Sequence, residues 1–229
     1  MRLPKQRVAL SALERLFLEP VNTITHLLAA LLAVPGLGWL LWLTRDEPLK
    51  MLSLLVYGLS VIVLFAASAL LHGLKVTDRW RTWLNRFDHM AIFLLIAGTY
   101  TPIVTNLFPQ HWRAPILAGV WSVAAIGMVY KLSSARLHGF FNVSIYVIVS
   151  WGGALPLALS LQIASRIGRD GIYLLLAGGL IYSLGFIVYY VQRPDPWPGW
   201  LGHHELWHLF VIGGSLCHYL FMLYHVVPA

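Results

Sequence analysis

The sequence predicts an all-α polytopic protein that crosses a lipid bilayer about seven times, and three observations carry that prediction. Of its 229 residues 59% are hydrophobic and only 11% charged, too little polar side chain to cover a soluble globule of this size, so lipid has to cover the rest. Apolar runs of the roughly 20 residues that a transmembrane helix needs recur along the chain, separated by short charged or Pro/Gly-rich breaks. The roughly ten-residue alternating strands of a membrane β-barrel do not occur, nor does any repeat at a fixed period.

Taken in order, residues 4–18 open on Pro4 and carry Val8, Ala12, Leu13, Leu16 and Phe17 at helical spacing, which predicts a short interfacial amphipathic helix ending at Pro20. Seven spans follow, at 20–43, 51–72, 88–107, 114–131, 140–161, 171–191 and 204–227. The first is longer than the core of a cleavable signal peptide and is expected to be retained. Pro102 and Pro156 should bend spans 3 and 5. Gly178, Gly179 and Ser183 on span 6, with Gly213 and Gly214 on span 7, mark places where helices approach closely. The longest connection, near residues 73–87, is too short to be an independent unit, so residues 1–229 are expected to form one domain.

Charge predicts which way round the bundle sits, because cytoplasmic loops carry the excess of Lys and Arg. The N-terminal tail and the second, fourth and sixth loops together hold 11 such residues, and the opposite side holds 5. The N-terminus is therefore expected in the cytoplasm and the C-terminus outside. Trp80, Trp83, Trp197 and Trp200 near the inner ends, and Trp39, Trp42 and Trp112 near the outer ends, suit interfacial aromatic belts. The net charge of +7 then serves orientation, and no nucleic acid is expected as a partner. Cys217 is the one cysteine, which excludes an intramolecular disulfide and a thiolate metal cluster.

Ionisable residues inside membrane spans are costly and mark sites. Here His72, Asp88 and the pair His204 and His208 fall at the inner ends of spans 2, 3 and 7. His204-Glu-Leu-Trp-His208 puts two imidazoles at i and i+4 on one helix face. Ser68-Ala-Leu-Leu-His72 repeats that spacing, adding a third imidazole and, one turn deeper, a hydroxyl. Three nitrogens with one open position make the usual catalytic zinc shell, and Asp88 is placed to orient a water or take its proton. His203 and Glu205 are expected to point away from the shared face. Glu19, Asn22, Thr23 and His26, at i, i+3, i+4 and i+7 on the start of span 1, suit capping or helix–helix hydrogen bonding as well as a role near the site. Ser215, His218 and His225 could continue a polar track outward from His204, but the two histidines are rather expected to bond to neighbouring helices or to sit at the outer interface.

The segments Glu19-Pro-Val-Asn-Thr-Ile-Thr-His26, Ser68-Ala-Leu-Leu-His72, Asp88-His-Met-Ala-Ile-Phe with Ala97-Gly-Thr-Tyr-Thr-Pro102, and His204-Glu-Leu-Trp-His208 with Gly214-Ser-Leu-Cys-His218 run in order from the first span to the last. In these the sequence resembles the bacterial hemolysin III proteins, within the progestin and adipoQ receptor superfamily. The resemblance implies seven helices with a cytoplasmic N-terminus and a zinc ion near the cytoplasmic leaflet. It implies zinc ligands at His72, His204 and His208, with Asp88 acting on water and Ser68 beside it. It also implies residence in the cell membrane, membrane lipids as partners, and a link either to lipid-amide hydrolysis, as in the receptors, or to cytolysis and membrane lipid homeostasis, as in the bacterial members.

Two functions follow as expectations. One is a zinc-dependent hydrolase of a lipid amide or ester, which requires a lipid-facing gap between spans. The other is non-catalytic: a metal that staples helices in a membrane sensor, receptor-like protein or cytolysin, for which a closed metal shell is the signature.

Overall fold

The computed structural model describes residues 12–133, 144–152, 161–198 and 200–229. Among them six helices are long and apolar enough to cross a membrane. They belong to α1 (Pro20–Leu43), α2 (Pro48–Gly73), α3 (Asp78–Leu107), α4 (Gln110–Ser133), α6 (Leu161–Val191) and α7 (His203–Phe221), which continues as a π-helical turn over Met222–Val226. Residues 144–152 are also helical and form the described part of α5. The rest of the predicted fifth span, with Pro156, lies outside the described residues, as does most of the predicted interfacial helix, of which 12–16 are helical.

Local chemistry explains the ends. Pro20 and Pro48 each stand in the first turn of their helix, where a fixed φ and a missing N–H cost nothing. The end of the helical residues 12–16 is capped by Lys75, whose ammonium donates to the carbonyls of Glu14 and Arg15. At the far end of the bundle Lys50 is buried, yet its ammonium is satisfied by Glu47 at 2.9 Å and by the Val227 carbonyl at 3.0 Å. The bond to Val227 fastens the turn after the π-helical segment to the start of α2.

α3 is the correction with the most bearing on the site. The apolar pattern starts the third span at residue 88, whereas the helix starts at Asp78, so Asp88 lies about three turns inside it. Hydropathy measures the thickness of the apolar slab and passes over polar helical turns beyond it; Asp78, Arg79, Arg81, Asn85 and Arg86 make up those turns. The connection expected over 73–87 shrinks to residues 74–77.

The long helices pack mostly on their sequence neighbours, and α7 closes the arrangement against α1 while its π-helical turn meets α3. α3 is the inner helix, with 67% of its most apolar stretch buried, whereas in α4 only 11% is buried. The expected glycine contacts form. A Cβ at Gly178 would run into the His218 ring and one at Gly214 into the ring of Tyr182. His218 therefore packs against α6, and His225 stacks on Phe221 beside Gly171, so neither extends a polar track from His204.

A break within α6 separates the end of the fifth span from the sixth. Gly168 has φ 65° and ψ −176°, a region that essentially only glycine occupies. Gly168→Ala is expected to destabilise the protein by about 1–3 kcal/mol although nothing lies within 4 Å of the added methyl. Gly38→Ala, equally open but helical, should be neutral or slightly stabilising. Thermal unfolding in detergent compares the two.

Candidate metal centre

One end of the bundle gathers the end of α2, the first turns of α3 and α7, and the residue before α1. His72 stands in the last turn of α2, and α7 starts at His203 with the Glu205 carboxylate accepting from the Gly202 N–H, so that His204 and His208 face the same interior point one turn apart. His72, His204 and His208 each offer a ring nitrogen within 4.8 Å of the others, an arrangement that could hold a metal ion. Their ring centroids form a near-equilateral triangle with sides of 5.1, 4.7 and 5.1 Å. His72 and His208 are buried.

A cavity of ≈ 450 Å³ opens on this triangle, and Asp88 and Ser68 line it together with all three histidines. A smaller apolar chamber of ≈ 130 Å³, reaching Ile96, Ile103, Leu175 and Phe186, shares Ile92, Leu95, Tyr146, Tyr182 and Trp207 with the first as walls. All five residues expected at the site are thus brought together, from three helices.

Around the triangle lies a polar layer from α1. His72 Nδ1 is 2.6 Å from Glu19 Oε2. The Asn22 amide donates to that same oxygen at 2.9 Å and to Glu205 Oε1 at 3.2 Å. Burial pushes the Glu19 carboxyl up, but the hydrogen bond and charge of His72, followed by the Asn22 amide, outweigh it and hold the group at about 2. His26 lies face to face with His208, ring centroids 3.9 Å apart. Glu205 corrects the expectation that it points away: its Oε2 accepts from the Gly202 N–H at 2.8 Å while Oε1 reaches α1. The sequence signals for this layer were the spacing of Glu19, Asn22 and His26 on one helical face, which fits capping equally well, and the place of residues 19–26 among the segments of the family resemblance.

The residues fit a metal ion: imidazole nitrogens are common donors to transition-metal cations, and the cavity lies beside all three. His208 Nδ1 is buried with no hydrogen-bond partner, a state that costs free energy in the protein alone and that a bound cation would relieve.

Residues 15–219 match the family described as Haemolysin-III related. The chain is 32% identical to a Hemolysin-3 homolog of Bacillus subtilis over 91% of its own length and 94% of that protein. It is 26% identical to the human monocyte to macrophage differentiation factor, over 86% and 80% of the two chains. With the adiponectin receptor protein of Drosophila melanogaster it shares 25% identity over 95% of its own length and 52% of that protein. With six membrane-length apolar helices among its described residues, the chain is a multi-pass protein of the cell membrane and belongs to the haemolysin III-related family, within the progestin and adipoQ receptor superfamily.

Proposed function

We propose that this protein is a seven-helix, zinc-dependent hydrolase of a lipid amide or ester, acting in membrane lipid homeostasis, with membrane lipids as substrate and surroundings. The observation that carries this reading is the cavity. The histidine triangle opens onto ≈ 450 Å³ shared with Asp88 and Ser68, whereas structural zinc is usually closed off by four protein ligands.

His72, His204 and His208 would hold the ion. Zinc held there would supply Lewis-acid polarisation of a carbonyl oxygen and would acidify water nearby. Asp88 holds the attacking water, takes its proton as the oxygen bonds to the carbonyl carbon, and returns it to the departing amine or alcohol. Ser68 fixes the Asp88 carboxyl for that work, and the apolar chamber receives an acyl chain. Turnover of a ceramide and acyl-amide panel by the purified, zinc-loaded protein tests the reading; a panel with no turnover counts against it.

The second reading makes the zinc a structural staple in a sensor, receptor-like protein or cytolysin. It is favoured by the ligands' origin on α2 and α7, helices remote in sequence that a metal would tie together. The lytic form of it rests on the names of Bacillus relatives. Conduction would also need a continuous polar lining, and spans 4 and 6 supply few polar residues.

The charge distribution supports a cytoplasmic N-terminus and an external C-terminus, an orientation in which the centre would lie near the inner leaflet. A reporter fused at Ala229 is expected to be active only when it needs an external location. Activity confined to the cytoplasm would reverse the orientation.

A further inference from the structure

We infer that Glu19 is a positioning residue for the metal centre: it accepts the Nδ1 proton of His72, turns the Nε2 lone pair toward the ion, and is itself clamped by Asn22. The inference rests on the reading of His72, His204 and His208 as metal ligands.

The chemistry begins with the imidazole. A neutral ring carries one proton, and only the nitrogen without it can bind a metal. In free solution both tautomers are populated and the ring turns about its side-chain bonds. In the protein, Glu19 Oε2 stands 2.6 Å from His72 Nδ1, which settles both choices: the proton sits on Nδ1 and Nε2 is left to bind. A carboxylate in this position also makes the imidazole a stronger donor.

The carboxylate is held in turn. The Asn22 amide reaches Oε2 at 2.9 Å, and Arg81 Nη2 on α3 lies 3.4 Å from Oε1. The same Asn22 amide reaches Glu205, 3.2 Å away, in the first turn of the helix that carries His204 and His208. One amide therefore links the group that orients the α2 ligand to the start of the helix that carries the other two. One turn along α1, His26 lies flat against the His208 ring at 3.9 Å. The face of α1 bearing residues 19, 22 and 26 thus touches the ligand set at both of its helices while contributing no ligand.

The test uses full-length protein in detergent, with Co(II) and Zn(II) as the bound probes. Glu19→Gln keeps the size and an acceptor oxygen but removes the charge; Glu19→Ala removes both. Each is expected to weaken metal affinity about 10–100-fold, with alanine the weaker, and to shift the visible Co(II) bands as the His72 donor weakens. The melting temperature of the metal-free protein should stay near that of the wild type for Glu19→Gln. Wild-type affinity and an unshifted Co(II) spectrum in both variants would overturn the inference while leaving the metal centre intact. An affinity loss matched in both variants by an equal loss of metal-free stability would assign Glu19 to helix packing and overturn it as well. His72→Ala, measured alongside, separates the two levels: if it binds Co(II) as the wild type does, the ligand assignment fails first.

Discussion

Replacing His72, His204 and His208 together by alanine is expected to abolish metal binding, from about one zinc per chain to none. Each single replacement should also cost more than the roughly 10–100-fold that loss of a hydrogen-bonded supporting residue costs, because it removes a bond to the ion itself. The three nitrogens lie within 4.8 Å of one another, and no second group of this kind occurs among the described residues. A site left with two of three nitrogens is under-coordinated and its ion exchanges into solvent or chelator. Elemental analysis of purified protein gives the stoichiometry. Full zinc occupancy in the triple variant would place the metal elsewhere. The helices should survive the change, since the three rings face a cavity and the long apolar helices are held by lipid and by one another.

The second large effect separates catalysis from stapling. Asp88→Ala is expected to lower lipid-amide turnover about 100–10,000-fold, the usual contribution of a positioned acid–base group, while most of the zinc stays bound. Asp88 faces the same cavity as the histidines without belonging to their cluster, so its loss removes proton handling and leaves the three nitrogens. A staple predicts the reverse, with metal retention or thermal stability changed by the same substitution. Turnover and zinc content measured side by side on the wild type and the variant decide between them. Turnover that survives unchanged in the variant would remove Asp88 from the mechanism.

Much of the fold was legible because a bilayer is an undemanding reader. It requires apolar runs of a minimum length, and those are written consecutively in the chain. α1 accordingly has the bounds expected of it, Pro20–Leu43. The polar beginning of α3 was not legible in the same way, because Asp78 to Phe87 continue a helix outside the apolar slab where hydropathy carries no signal. The break between the fifth and sixth spans was placed by the same reading between residues 161 and 171, but that it turns on the backbone of one glycine, Gly168, was not.

Of the centre, the sequence by itself determined the donors: two imidazoles one turn apart on the last span, a third on the second, and a carboxyl and a hydroxyl at the same end. Fixed helical periodicity makes i and i+4 neighbours in any context, and charges are too costly in lipid to be placed idly. What only the tertiary structure decided is how α1 bears on them. Whether Glu19 caps its own helix or holds His72 depends on the distance between two helices, and whether Glu205 turns outward or meets Asn22 depends on how α7 packs against α1. Those distances arise from side-chain packing between segments separated by 53 residues in one case and 183 in the other, and no local pattern encodes them.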